Sequence, residues 1–208
     1  MGLTILLVRK KILEDPAVPN EGCDLCEYFN YHLSNMYRSL FRDDILGFMR
    51  ILGIDPGIGR TGWGLIEVIG NKLQVISYGC IETEVNGKIE ERLNSLYEQL
   101  EHVIKDNSFD VVAIEELFFN TNAKTALIVG QARGVILLTA ARKKLPVSVY
   151  TPLQVKMALT GYGRADKSQI GQMVKTLLKL QAIPKPDDVA DALAIAITHA
   201  FMYKFPAN

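Results

Sequence analysis

The sequence predicts an α/β fold in which helices flank a mixed five-stranded sheet. Three strand-like segments follow one another between residues 51 and 83 with only short turns between them, which predicts an antiparallel meander. Two further short segments rich in Val and Ile come later, and a helical pattern precedes each of them. Because a helical crossover usually delivers a strand parallel to its neighbour, we expect antiparallel and parallel pairs in one sheet.

Turn residues bound the predicted strands. Ile51–Asp55 is a short apolar run that ends at the turn signal Pro56-Gly57. The second and third strands flank Gly70-Asn71, a dipeptide typical of a hairpin turn. The strands are expected at residues 51–55, 61–68, 72–83, 109–115 and 147–150.

Helical periodicity marks the remaining segments. In the first of them, Ile89, Leu93 and Leu96 recur at three- and four-residue spacing and belong to one apolar face. Asp166 and Gln169 fit a capping box at the start of the fourth helix. The helices are expected at residues 88–104, 123–144, 152–160, 167–180 and 187–203.

Composition excludes several classes of protein. Hydrophobic residues make up 49% and charged residues 22% of the 208 residues, which is typical of a globular domain. No apolar run reaches the length of about 18 residues that a membrane span needs. Basic residues follow the first apolar run, the reverse of a signal peptide, and the three cysteines do not suggest a disulfide framework. We therefore expect a cytoplasmic protein, while the net charge of zero neither favours nor excludes nucleic-acid binding.

Residues 1–48 differ from the rest of the chain, because they mix prolines, aromatics and short charge clusters without steady periodicity. Cys23 and Cys26 form a single CxxC without a second pair, which is weak evidence for zinc. A strong strand begins directly after Met49, so we hypothesise that Met49 is an alternative start. Residues 1–48 would then be an N-terminal extension outside the functional protein, and residues 49–208 would form one domain.

Acidic side chains stand at the ends of predicted elements. Asp55 ends the first strand, Glu115 and Glu116 end the fourth, and Asp188 and Asp191 lie three residues apart on one face of the last helix. Each position alone has an ordinary explanation, because an acid can favour a turn, terminate a strand or complement a helix dipole.

The combination of these acids favours a metal site. No Ser/His or Cys/His nucleophile set accompanies them, and carboxylate oxygens are the ligands that suit Mg²⁺ or Mn²⁺. Two such ions roughly 4 Å apart can activate water and stabilise the leaving oxygen in phosphodiester hydrolysis. The residues themselves do not decide between Glu115 and Glu116, or between Asp187 and Asp188.

The loop after the first acid contains Gly57-x-Gly59-x-x-Gly62, which matches a dinucleotide-binding fingerprint. That motif must lead into a helix whose N-terminus holds the pyrophosphate, but here a strand-like segment follows. We therefore reject dinucleotide binding. The glycines more plausibly let the backbone approach a neighbour closely, and a nucleic-acid strand is one candidate for that neighbour.

Basic and aromatic residues are candidates for nucleic-acid contacts. Lys156 lies in a predicted helix, and Arg164 and Lys167 lie in or beside a glycine-rich loop that opens a helix, where phosphate is attracted. Phe118 and Phe119 follow the paired glutamates, and exposed aromatics can stack on unpaired bases. The alternatives are a solvated surface for each lysine and a place in the core for each phenylalanine.

Taken together, six motifs resemble those of the RuvC family of Holliday-junction resolvases. They occur at residues 51–57, 113–118, 130–134, 154–156, 166–169 and 188–196, so the resemblance covers about residues 49–199. Residues 1–48 fall outside it.

The resemblance implies an RNase H-like fold and a nuclease domain over residues 49–208. Matched by motif position, it implies that Asp55, Glu115, Asp188 and Asp191 are the catalytic and metal-binding residues. It also implies two Mg²⁺ ions for each active site, with Mn²⁺ as a substitute.

For the partners, the resemblance implies four-way junction DNA, which a bacterial, cytoplasmic homodimer nicks symmetrically in homologous recombination and DNA repair. It implies that Phe118 stacks at the junction centre and that Lys156 and Lys167 contact phosphates. A branch-migration complex of RuvA and RuvB is a further implied partner. Small residues in the helix around Gly130 and Gly134 would suit a dimer contact.

Two other classes of function are compatible with part of the pattern. A phosphotransferase of the actin-like ATPase superfamily also opens with a strand and an acidic phosphate loop. It needs a second phosphate loop and about twice the length, however, and the chain shows neither. A non-catalytic junction-binding protein would not need converging acids, because carboxylates repel the phosphate backbone unless metal ions intervene.

The alternative start makes a direct prediction about the purified native protein. If Met49 is the functional start, intact-mass analysis should give an N-terminus at that residue. A mass that matches a chain beginning at Met1 would sink the hypothesis.

Overall fold

The computed structural model describes residues 48–117 and 123–203. Phe118, Cys23 and Cys26 lie outside these ranges, so the structure does not test their expected roles. In chain order, the elements are β1 Phe48–Asp55, β2 Arg60–Ile69, β3 Lys72–Glu82, α1 Ile89–Asp106, β4 Val111–Glu115, α2 Ala123–Arg142, β5 Val147–Tyr150, α3 Pro152–Thr160, α4 Lys167–Leu177 and α5 Asp187–Met202. Within the described ranges, no helix combines the length and apolarity needed to cross a membrane.

The five strands form one mixed sheet in the order β3-β2-β1-β4-β5. β1 pairs antiparallel with β2, and β2 pairs antiparallel with β3, which confirms the predicted meander. β1 pairs parallel with β4, and β4 with β5, which confirms the predicted crossovers. The two parallel pairs place the carboxyl ends of β1, β4 and β5 at the same edge of the sheet.

Both faces of the sheet are buried. Successive strand residues point to opposite faces, so Ile51 packs with α3, α4 and α5 while Leu52 packs with α1 and α2. Both side chains are fully buried, and each such burial stabilises the fold by about 1.5–3 kcal/mol. The apolar run in β1 is continuous because neither of its faces meets water.

Two helices end earlier than the periodicity predicts, although the capping box of Asp166 and Gln169 at the start of α4 is confirmed. α2 was expected to reach residue 144 and α4 residue 180, but they end at Arg142 and Leu177. Lys144 and Lys179 adopt positive φ angles of 56° and 54°. This left-handed conformation terminates a helix, and nothing in the apolar pattern signals it at a lysine.

α5 lies directly on the sheet because glycines line β1 and β2 beneath it. A Cβ atom at Gly53 would stand 2.1 Å from the carbonyl oxygen of Ala192, and one at Gly62 only 1.9 Å from that of Asp188. A Cβ at Gly64 would meet the Leu193 side chain at 2.4 Å. The helix backbone therefore sits closer to the sheet than any side chain in these three positions would permit.

Close contacts within the protein explain two of the glycines in the glycine-rich loop. Gly57 begins a tight turn in which an added Cβ would lie 2.1 Å from the carbonyl oxygen of Arg60. The Thr61 hydroxyl closes the turn by donating to the Gly57 carbonyl at 2.6 Å. At Gly59, by contrast, only a terminal nitrogen of Arg92 lies within reach, at 3.6 Å. The neighbours that Gly57 and Gly62 approach are thus protein backbone, which explains these two glycines without a nucleic-acid strand.

A buried polar pair joins the end of β5 to α5. The Tyr150 hydroxyl and His199 Nδ1 are 2.7 Å apart, and the His199 ring stacks on Tyr203 at 5.4 Å. Burial lowers the pKa of His199, so the ring stays neutral at neutral pH. This pair is a buried polar contact that joins α5 to the parallel edge of the sheet.

The close approach of α5 predicts contrasting effects at two motif glycines. Gly62→Ala should lower the free energy of unfolding by about 1–3 kcal/mol, because the new methyl group overlaps helix backbone that cannot rotate away. Gly59→Ala, in the same loop, should change it by less than about 0.5 kcal/mol. Urea denaturation of the metal-free variants measures both values. Equal effects at the two positions would contradict the proposed packing constraint.

Candidate metal centre and nucleic-acid interface

Three elements bring four carboxylates to one edge of the sheet. Ile54 pairs with Ile114 across β1 and β4, so Asp55 and Glu115 follow at adjacent strand ends. Asp188 and Asp191 come from the first turns of α5, which packs on β1 and β2. The structure therefore brings together the four acids that the motifs single out, although residues 55 and 191 are far apart in sequence.

Asp55 is the electrostatic centre of this group. Its pKa is raised to about 8, mainly by burial and then by the charges of Asp191, Glu115 and Asp188, in that order. Lys167 acts in the opposite direction and lowers it. A carboxyl group with this pKa is not fully ionised at neutral pH unless additional positive charge is supplied.

Glu115 responds to the same surroundings. Burial is the main reason that its pKa rises to about 7, and the charge of Asp191 adds to the effect. Lys167 and Lys156 lower it. The carboxylates and the two lysines therefore act on one another as a single cluster.

The structure also distinguishes the members of each ambiguous acidic pair. Glu115 is half-buried within the cluster, whereas Glu116 is exposed. Asp188 is half-buried, whereas Asp187 is exposed and pairs with Lys185 at 2.6 Å. The geometry thus favours the same member of each pair as the family motifs do.

Two basic side chains hold carboxylates of α5. Lys167 Nζ lies 2.9 Å from Asp191 Oδ2, and this hydrogen bond is the main reason that the pKa of Lys167 is raised. Arg60 Nε lies 3.1 Å from Asp188 Oδ2. Sequence reasoning missed Arg60, although a basic residue in the loop directly after the first acid was a usable signal.

The other two expected DNA contacts, Lys156 and Arg164, differ in burial and in their electrostatic effect on the cluster. Lys156 on α3 is half-buried, and its charge acts on Glu115. Arg164 is exposed in the loop before α4, and it is not among the charges that shift Asp55 or Glu115.

The donor set fits hard divalent cations. All four cluster side chains offer oxygen, and the raised pKa values of Asp55 and Glu115 show that positive charge is lacking at this point. Among residues 48–117 and 123–203, no three His, Cys, Asp or Glu side chains are already gathered as ligands of one ion. In this arrangement, Lys167 pairs with Asp191 and Arg60 pairs with Asp188.

A mixed sheet with acids at adjacent parallel strand ends, completed by acids from a covering helix, defines an RNase H-like metal-dependent nuclease. The family model described as "Crossover junction endodeoxyribonuclease RuvC" matches residues 51–199. The chain therefore belongs to the RuvC family of crossover junction endodeoxyribonucleases.

Individual relatives support this assignment. The RuvC of Desulforamulus reducens is 59% identical over 152 residues, which cover 73% of this chain and 93% of the relative. The RuvC of Desulfitobacterium hafniense (strain DCB-2) is 60% identical over 152 residues, or 73% of this chain and 92% of the relative.

Solved structures agree in fold. Thermus thermophilus RuvC, in a structure described as a complex with Holliday junction substrate, matches with a TM-score of 0.70 and 38% identity, over 74% of this chain and 93% of that one. The yeast mitochondrial resolvase Ydc2 matches with a TM-score of 0.52 and 15% identity, over 79% of this chain and 83% of that one. The latter likeness supports the fold alone.

The raised pKa of Asp55 predicts a pH-dependent penalty in the metal-free protein. The folded-state pKa of about 8 exceeds the ordinary value of 3.8, so folding binds a proton and stability falls as pH rises between these values. Asp55→Asn should therefore raise the melting temperature in EDTA at pH 7.5, and the difference should shrink toward pH 5. Thermal unfolding at both pH values checks this, and a lower melting temperature for the variant at pH 7.5 would contradict it.

Proposed function

We propose that this protein is a structure-specific endonuclease that resolves four-way Holliday junctions in homologous recombination and DNA repair. The observation that carries the proposal is the coupled cluster of Asp55, Glu115, Asp188 and Asp191 in a chain of the RuvC family. A relative at 38% identity is described in complex with a Holliday junction substrate.

In this proposal, the four carboxylates hold two Mg²⁺ ions, for which Mn²⁺ can substitute. When bound, the ions supply an activated water and stabilise the charge that develops on the scissile phosphate. Asp55 and Glu115 are fixed by the ends of β1 and β4, so their oxygens have little freedom to follow the substrate. Asp188 and Asp191 are fixed by the packing of α5 on the sheet.

The basic and aromatic residues bind the DNA. Lys156 and Lys167 lie beside the carboxylates, where they can contact the phosphates that flank the scissile bond. Arg164 can contact a more distant phosphate from its exposed loop. Phe118, three residues after Glu115, stacks at the junction centre in this proposal, as the family motif implies.

A homodimer would place two such sites on one junction. The outer face of α2 exposes Leu127 and Leu138, and a Cβ at Gly130 or Gly134 would meet nothing within 4 Å. This open apolar face suits close packing against a second copy, and a two-fold axis would then give symmetric nicks. The RuvA–RuvB branch-migration complex is the further partner that family membership suggests.

The proposed reaction can be tested on a synthetic four-way junction and a matching linear duplex, with and without Mg²⁺. Paired symmetric nicks should appear in the junction only, and only with Mg²⁺. Asp55→Asn should abolish the nicks yet leave junction binding intact, because it removes a metal ligand and no phosphate contact. Asp187→Asn is the matched control, since this exposed neighbour lies outside the cluster and should leave nicking unchanged.

Other outcomes point to the alternative functions. Tight junction binding by the wild-type protein without nicks would favour a non-catalytic junction-binding protein. Absence of both junction binding and nicking would instead favour nucleotide hydrolysis. Loss of binding together with cleavage in Asp55→Asn would contradict the role given to Asp55.

A further inference from the structure

Arg60 stands at the start of β2 with its side chain directed at the metal centre. Its Nε is 3.1 Å from Asp188 Oδ2, yet that buried oxygen receives no well-aligned hydrogen bond. Lys167, by contrast, donates a hydrogen bond to Asp191 at 2.9 Å. Charge attraction therefore holds Arg60 near Asp188 without a well-formed hydrogen bond. For this reason, Arg60 can leave Asp188 for another anion at a small cost in free energy.

Hydrogen bonds fix the backbone that carries Arg60, whereas more than half of its side chain is exposed to solvent. Thr61 closes the turn onto Gly57, and the amide of Thr83 donates to the Gly59 carbonyl at 3.1 Å. The Arg60 side chain itself is 54% exposed. A guanidinium on a long, exposed stem above a rigid turn can change partners without any change in the fold.

We propose that Arg60 is a further phosphate-binding residue of this nuclease, and that metal binding switches it from Asp188 to the DNA. The inference rests on the proposed function. A divalent cation at Asp188 removes the charge that attracts Arg60 and repels its guanidinium. The released guanidinium has the planar, forked geometry that matches a phosphate group. The Asp188 carboxylate thereby couples metal binding to the contact between Arg60 and the DNA phosphate.

The first consequence is competition between Arg60 and the metal in the absence of DNA. Titration of Mn²⁺ into metal-free protein should show tighter binding for Arg60→Ala than for the wild type. The expected gain is roughly two- to fivefold, the range set by a partly exposed ion pair. Lys185→Ala is the matched control, because it removes an ion pair to Asp187, outside the metal cluster, and should leave the affinity unchanged.

The second consequence concerns DNA binding, measured as the salt dependence of junction affinity with and without Ca²⁺. A denaturing gel confirms that the junction stays uncut. With Ca²⁺, Arg60→Ala should reduce the salt slope by about one unit relative to the wild type, as expected for one lost phosphate contact. Without a divalent cation, the two slopes should agree because Asp188 retains Arg60. Arg60→Gln, which keeps a polar side chain but removes the charge, should behave as Arg60→Ala does.

Each other result overturns the proposal in a distinct way. Tighter Mn²⁺ binding with an unchanged Ca²⁺ slope would reduce Arg60 to a counter-ion of Asp188. An equal loss of slope with and without Ca²⁺ would make Arg60 a permanent phosphate contact, with no switch. Unchanged or weaker Mn²⁺ binding by Arg60→Ala would show that Arg60 and the metal do not compete for Asp188. Because the Mn²⁺ titration contains no DNA, its result stands even if the wild-type protein fails to cut junctions.

Discussion

The contact between α5 and the β1–β2 pair is the constraint on which the rest of the structure depends. Gly53 and Gly62 let the helix backbone rest almost directly on the strand backbone. That contact closes the larger of the two cores, and it also sets the height of Asp188 and Asp191 above Asp55. Packing and chemistry therefore share one interface, since a small displacement of the helix would expose apolar surface and separate the carboxylates at once.

The same contact creates an electrostatic cost. Four acids at one edge repel one another, and burial removes the water that would otherwise screen them. The metal-free protein moderates this repulsion with Lys167 and Arg60, each of which faces one acid of α5. Asp55, at the centre of the cluster, has no such ion pair among the described contacts, and its pKa rises most. The fold thus maintains a concentration of buried negative charge, as is common at functional sites.

Much of this architecture could be predicted from the sequence. The antiparallel meander and the two helical crossovers followed from the spacing of turns and helical periodicity, and all five predicted strands are present. The candidate acids were recognised at two strand ends and on one face of the last helix, and the family motifs decided between the neighbouring acids. The features that could not be predicted depend on tertiary geometry. Glu115 and Glu116 differ only in the side of the strand end that they occupy. Lys144 and Lys179 end helices through backbone angles that lysine rarely adopts. The partner of Arg60 depends on the packing of α5, which places Asp188 beside the start of β2.

The order in which the four acids occur along the chain has a consequence during synthesis. Asp55 emerges from the ribosome early, whereas Asp188 and Asp191 belong to the last helix of the domain. A nascent chain that lacks α5 has neither of the two carboxylates that this helix supplies. It also lacks the helix that covers β1 and β2. The four-acid cluster is therefore complete only after the last helix of the domain has been synthesised and has packed on the sheet.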